Sequence, residues 1–403
     1  MSKYTTIKPF SLRFLESFVL TKDVLPFTDK EIIRLDKELA EYEQVFMDPE
    51  VEKHLMSKNE LLTSFAISKA ENSSLTFGEA QEVYDVVLQR KEYNFINKKL
   101  SERKKFTVKD YEKLEFFNIA KTFREENLKL FTIKALTADY IKKIHLKLTQ
   151  GMDIFHAHLS DFTVYKSGKW RDNDLIRVGN YIPAPFKDIP RGVEELVQWF
   201  KKNPSITNVA VFHTALYALH VFNNGNKRIC RFLEHILLRG LGINAKNLYS
   251  TSYYYHKQKE RYYKYLLYSL ERKNFNHFTS FAFEAIVFSI ISVVKTSLET
   301  KRASFLEIAI LNEKEKVILK PLIKRHEMQF KTLYKFAKKT IARQTFVTYL
   351  QKATEEKIVT RRVAGRTVYY TFNFKAPEHD VLTRWIRLAG ERLSFVPDDI
   401  RLS

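Results

Sequence analysis

Cysteine is almost missing from this chain of 403 residues. Cys230 stands alone, which excludes a disulfide framework and any all-cysteine metal cage. Glycine and proline are scarce as well, ten of each, so collagen-like and linker-dominated architectures are out and helices with short connections are favoured. Long apolar runs are also lacking. The most apolar segment, Ala285 to Val294, covers about half of the roughly 20 residues a membrane helix needs and follows Glu284 directly. It reads as a buried helix, with no membrane partner. Met1 to Leu20 has no basic leader ahead of an unbroken apolar stretch, so a cytoplasmic protein is expected.

Positive charge is plentiful: Lys+Arg 68 against Asp+Glu 47 leaves +21, and 45% of residues are hydrophobic, enough to pack two or three domains. Such a balance permits attraction to nucleic acid, nucleotide phosphates or acidic partners. The excess is uneven, because residues 301–375 hold 18 Lys/Arg against 6 Asp/Glu, which marks a separate basic module. Helical patterns there at Glu313–Lys324, Thr332–Lys338 and Thr340–Thr354 precede two β-prone runs, Ile358–Arg362 and Thr367–Phe374. Three helices and a hairpin make a winged helix-turn-helix pattern. In its third helix Ile341, Phe346 and Leu350 would pack inward, while Arg343, Gln344 and Thr348 reach base edges or phosphates. Lys338, Lys339, Arg361, Arg362 and Arg366 would line phosphates on either side. Double-stranded DNA is one expected partner of this module; protein docking or dimerisation is the other reading.

Upstream, apolar residues recur at helical spacing from Leu35 to Lys113. Ser167 to Pro190 differs, since Gly168, Gly179, Pro183, Pro185 and Pro190 punctuate it as a short hairpin and an extended loop would. Helices resume at about Gly192. The expected parts are 1–110, 111–300, 301–375 and a tail, 376–403.

The most informative stretch runs from His220 to Arg231. Val209, Phe212, Leu216 and Leu219 form an apolar stripe before it, and Ile229, Phe232, Leu233, Ile236 and Leu237 form another after it, so two core helices bracket a polar loop. Asn223-Asn224-Gly225-Asn226 permits tight or left-handed backbone where the second helix starts, and a helix N-terminus attracts anions. Lys227, Arg228 and Arg231 crowd that positive end against the helix dipole, which calls for a compensating anion; a polyphosphate suits guanidinium forks. His220 is the nearby group able to accept a proton near neutral pH.

The stretch resembles the Fic/Doc signature H-x-F-x-[D/E]-G-N-G-R-x-x-R, matched in register by His220, Phe222, Gly225, Asn226, Arg228 and Arg231. Trp170-Arg171 through Pro183 looks like the family's flap, and Tyr249 to Leu266 like its closing helix; the resemblance covers roughly 55–290. It implies a mainly α fold, with a Fic-type helical core and a small β-hairpin flap beside the winged helix. It also implies transfer of AMP from ATP to a Tyr, Thr or Ser hydroxyl of a target protein. His220 would take the hydroxyl proton, Gly225, Asn226, Lys227 and Arg228 would cradle phosphates, and Arg231 would hold the γ-phosphate. Leu175, Ile176, Arg177 and Val178 would register the target as an added strand, and Tyr262 and Tyr263 would stack on adenine.

Two positions depart from the signature. Asn224 replaces the carboxylate that helps to hold Mg²⁺, so metal binding there would be weak. Lys227 replaces the later glycine; Doc-like members carry lysine here, which implies γ-phosphoryl transfer as an alternative, while Arg231 resembles AMP-transferring members. A DNA-binding regulator with a nucleotide-sensing or inactive core is a third reading. Leu61, Leu62, Phe65 and Ile67 suggest an amphipathic helix stopped by Asn72-Ser73-Ser74, with Glu71 at its C-terminus. Glu71-Asn72 resembles the end of the family's inhibitory helix, placed at about 59–72, although Ile67 holds its Ser/Thr slot. The resemblance implies a self-inhibited protein in which Glu71 pairs with Arg231. Homodimerisation is left open.

Overall fold

Thr76, Thr107 and Asn312 each precede a helix whose third residue is acidic, and each forms a capping box, with Glu79, Asp110 and Glu315 respectively. Local chemistry of this kind sets many helix starts in the computed structural model, which describes residues 4–11, 14–91, 93–159 and 166–400. The fold is mainly helical, with small antiparallel sheets. The helices are α1 Asp29–Phe46, α2 Pro49–Ser68, α3 Phe77–Leu88, α4 Phe95–Ser101, α5 Val108–Asn127, α6 Ala138–Thr149, α7 Ile189–Lys202, α8 Ile206–Leu219 and α9 Asn226–Gly240. Then come α10 Thr251–Lys257, α11 Lys259–Glu271, α12 Asn276–Ile308, α13 Glu313–Leu319, α14 Pro321–Lys324, α15 Phe330–Ala337, α16 Arg343–Glu355 and α17 Pro377–Arg392. The strands are β1 Thr6–Ile7, β2 Leu20–Thr21, β3 Met328–Gln329, β4 Val359–Ala364 and β5 Thr367–Phe372.

The chain packs as two units, one of residues 1–38 and 53–289 and the other of 39–52 and 290–403. The first centres on α8. Every residue from Ile206 to Leu219 is buried, so this helix is enclosed all round and not merely amphipathic. It packs on α9, whose buried face includes the expected stripe Ile229, Phe232, Leu233, Ile236 and Leu237. Asn59 of α2 donates to Asn247 O, Asn247 Oδ1 and Tyr249 O, and Glu60 accepts from Tyr84 and Arg124. These bonds anchor the middle of α2, which ends at Ser68 and is followed by a 3-10 turn Lys69–Glu71 and a left-handed Asn72. The stop expected at Asn72 is therefore present.

The flap is simpler than a hairpin. Among the described residues from 166 to 190 the only pairing is one antiparallel bridge between Val178 and Tyr181, around Gly179 at φ +59°. Two prolines, Pro183 and Pro185, lie just beyond it, and proline gives no N–H to a ladder. Helix α7 begins at Ile189, slightly before the expected restart.

In the second unit, α13, α15 and α16 surround a core of Ile318, Leu333, Phe346 and Leu350, and a three-stranded sheet in the order β3-β5-β4 joins them. In register, Val359 pairs with Phe372 and Arg361 with Tyr370. The expected tail contains helix α17, in which Leu382, Trp385 and Ala389 are buried. Helix α12 has the length and composition of a membrane span, yet 83% of its most apolar window is buried in the protein, as expected for Ala285 to Val294.

Candidate active site

The polar loop starts where α8 stops. His220 is the cap of α8 in the left-handed region (φ 50°), and Gly225, also left-handed (φ 80°), caps the start of α9. Asn226 closes the turn with its side chain: Oδ1 accepts from Phe222 N–H at 3.0 Å and Nδ2 donates to Phe222 O at 2.7 Å. A buried amide that mimics backbone pairing in this way shapes the loop and does not face a ligand with either polar atom.

His145 of α6 supports the loop from behind. Its Nδ1 accepts the Gly168 N–H at 3.0 Å, which fixes the proton on Nε2, and Nε2 donates to Asn224 O at 3.0 Å. The ring stacks on Phe222 at 3.7 Å between centroids. Burial holds His145 at a pKa of about 3, so this tautomer persists at neutral pH.

Arg171 ties the flap to the same place. Its backbone N–H donates to Val221 O, Nε donates to His220 O at 2.7 Å, Nη1 donates to Asn173 O and Asp174 Oδ1, and Nη2 donates to Ala184 O. Buried, it gathers the carbonyls of His220 and Val221 just past α8 together with those of Asn173 and Ala184 in the flap.

Glu71, Arg177, Val178, Gly179, Tyr217, His220, Asn223, Asn224, Gly225, Asn226, Lys227, Tyr263, Leu266 and Leu267 enclose a cavity of about 350 Å³, within the range of small-molecule sites. Burial, with Arg171 and Lys227 adding repulsion, pushes the His220 imidazole down to about 3. It is neutral at pH 7, the form that has a free lone pair for a proton, although burial also makes it a weaker base than a free imidazole. Among the described residues His220 Nδ1 and Asn223 Oδ1 are buried with no hydrogen-bond partner, an arrangement that proteins rarely leave unfilled.

The cations divide. Lys227 reaches the cavity, 3.3 Å from Glu71 Oε2 and 5.0 Å over the Tyr263 ring. Arg228 does not line the cavity: it is buried against Glu115 through Nη1, with Nη2 3.3 Å from Asn224 Oδ1. Burial raises the Glu115 carboxyl pKa, and the Arg228 charge opposes that rise. Arg231 is also buried and outside the lining; its Nη1 donates to Ala66 O at 3.0 Å, and its guanidinium lies 4.1 Å over Tyr262.

The expected Glu71–Arg231 pair is corrected by these contacts. Ala66 O, in the last turn of α2 where carbonyls lack helical partners, takes Arg231, and Tyr262 covers its face. Glu71, past the end of α2, meets Lys227 instead. Tyr262 is buried beneath Arg231 and so is not an adenine platform, whereas Tyr263 lines the cavity and donates to Ala70 O at 2.7 Å.

These features, with His220 at one rim and a helix start at the other, lie in a segment whose ancestry is recognisable: residues 135–238 match the sequence model of the Fic/DOC family. Residues 135–238 are a Fic/DOC family domain. Solved structures similar to the chain include a Fic family protein from Desulfovibrio desulfuricans G20, 16% identical, covering 87% of this chain and 99% of that one with a TM-score of 0.48. Another is Fic-1 from C. elegans, 14% identical over 68% of this chain and 73% of that one, TM-score 0.48. A Fic domain containing signaling protein from Bacteroides thetaiotaomicron is 16% identical over 67% and 96%, TM-score 0.47.

Of the flap residues, Arg177 and Val178 line the Fic-domain cavity, while Leu175 is 86% exposed and lies outside it. Ile176 is half-buried and also outside the lining. Cys230 is fully buried, its thiol pKa pushed up by burial, a packing residue as expected. Sequence reasoning missed His145, Glu115, Asn223 and the carbonyl-gathering role of Arg171.

Magnesium, which the family resemblance implies, does not fit the residues present. Asn224 Oδ1 already accepts from Gly225 N–H at 2.7 Å and Arg228 Nη2 at 3.3 Å. No cluster of three His, Cys, Asp or Glu suited to a metal occurs among the described residues.

Proposed function

We propose that the chain transfers AMP from ATP to the hydroxyl of a Tyr, Thr or Ser side chain on another protein in the cytoplasm. The observation that carries this reading is the neutral His220 imidazole, its buried Nδ1 without a hydrogen-bond partner among the described residues, in a cavity shared with Lys227 and the start of α9. The target's oxygen would attack the α-phosphorus, the bond to pyrophosphate would break, and His220 would accept the hydroxyl proton. Lys227 and the first amides of α9 suit the departing phosphates. The exposed Leu175 and Ile182 flank the short Val178–Tyr181 bridge and suit an extended target segment laid along the flap. Glu71 holds the protein inactive by occupying Lys227.

The test incubates wild type, Glu71→Gly and His220→Ala with ATP labelled at the α or the γ position. Label from α alone, raised in Glu71→Gly and lost in His220→Ala, is expected. Label from γ alone would instead mean phosphoryl transfer, a reading favoured by Lys227 lining the cavity while Arg231 does not. No label from either position in any variant would leave the regulator reading.

A second activity is proposed for the basic module, as a winged helix that docks on duplex DNA. Lys338, Lys339, Arg343 and Gln344 are exposed from the end of α15 into the start of α16, with Phe346 and Leu350 buried behind them. Arg361 and Arg366 are exposed on the β4–β5 hairpin; Arg362 is held by Glu327 at 2.6 and 2.8 Å and contributes less. Binding that weakens steeply with salt supports this, and salt-independent or absent binding removes it.

A further inference from the structure

We propose that the Fic-domain cavity takes a nucleotide's phosphates without a divalent cation, the Lys227 ammonium standing where a metal ion's charge would otherwise be needed. This rests on the cavity being a nucleotide site, as proposed above.

Three observations lead there. Among the described residues lining the cavity the only carboxylate is Glu71, and it faces Lys227 at 3.3 Å. The side chain at the metal-holding position of the signature is an amide whose oxygen accepts two hydrogen bonds, one of them from a guanidinium. A cation 3.3 Å from that oxygen opposes the arrival of a second, doubly charged one. Glu115, the carboxylate that neutralises Arg228, is 1% exposed and outside the lining, so it offers nothing to a metal in the cavity. Magnesium is ordinarily held by one or two carboxylates together with substrate phosphates, and that protein half is missing here.

The cavity does supply positive charge of another kind. Lys227 and Arg177 both line it, and α9 presents its N-terminus beside Gly225. The Glu71 carboxylate on Lys227 is then a stand-in for a phosphate, and nucleotide and Glu71 compete for one ammonium. Asn223 Oδ1, a buried neutral acceptor, suits an N–H or O–H of the nucleotide better than a metal.

Calorimetric titration of ATP into full-length Glu71→Gly, once in excess EDTA and once in saturating Mg²⁺, tests this. Dissociation constants within about threefold of each other are expected, with Lys227→Ala weakening the EDTA value by roughly tenfold or more. Adding Asn224→Asp should restore a metal preference of about tenfold. Circular dichroism of each variant confirms that it is folded. ATP bound in Mg²⁺ but more than about tenfold weaker in EDTA overturns this inference and leaves the nucleotide site standing. Lys227→Ala binding as well as its parent in EDTA also overturns it. Absence of binding in both buffers overturns the nucleotide reading with it.

Discussion

Arg228 sits in the signature among residues that the family resemblance assigns to phosphates, yet its guanidinium is 1% exposed and sealed against Glu115. Replacing it by methionine tests which role is real. The change leaves Glu115 ionised or forces it to take a proton in a fully buried site, and Asn224 Oδ1 loses a donor at 3.3 Å. Removing one partner of a buried pair costs about 3–5 kcal/mol. The double variant Arg228→Met with Glu115→Leu should regain most of that loss, because two apolar side chains of similar volume often match a buried ion pair. Urea unfolding followed by near-ultraviolet circular dichroism at pH 7 measures both.

A pH series sharpens the point. Burial raises the Glu115 pKa above 4.5 in the folded state, so its protonated form favours folding below the unfolded pKa, and the folded state is disfavoured as pH rises through the higher folded value. The methionine variant should therefore lose less stability at pH 5 than at pH 8. Stability within about 0.5 kcal/mol of wild type, together with lost ATP binding, would refute the reasoning and return Arg228 to the phosphates.

Other outcomes follow from the same contacts. The imidazole of His220 stays in its base form down to about pH 3, so the acid limb of kcat/KM for transfer should lie well below pH 6.5; a half-maximal rate near 6.5 would contradict its burial. Gly225→Ala puts a Cβ at φ +80° and 3.4 Å from both Arg228 Nη2 and His145 Nε2, for a cost of about 1–3 kcal/mol in urea unfolding. His145→Phe keeps a ring against Phe222 but leaves Gly168 N–H and Asn224 O without their partner, about 1–3 kcal/mol for each group that stays dry, read by the same unfolding curves.

Much of this architecture was legible because it is local. The stripes from Val209 to Leu237, the stop at Asn72 and the succession of helices and the β4–β5 hairpin from Glu313 to Phe372 depend on spacing and capping that a single segment displays, whereas the break before Pro321 and the two-residue strand β3 were not expected. The signature placed His220 and Lys227 on one cavity for the same reason. What stayed hidden depends on residues distant in sequence. Glu115 lies 113 positions from Arg228, and His145 lies 79 from Asn224. Nothing in the spacing of α5 or α6 marks either as a partner. Glu71 was placed correctly at its helix end but assigned the wrong cation, since its position one turn beyond Ala66 decides which side chain it meets. The lysine at the family's glycine position was the available clue, because glycine carries no charge for Glu71 to meet.

Under the proposed transfer, Arg171 bears on how the choice of target could be altered. One guanidinium braces the root of the flap and the carbonyl of the histidine that would remove the proton, so any change at that root also disturbs the reaction centre. The outer rim is under no such obligation: Leu175 and Ile182 stand in solvent at 86% and 65% exposure. On the transfer proposed above, substitutions there would change the choice of target and leave the contacts of Arg171 untouched.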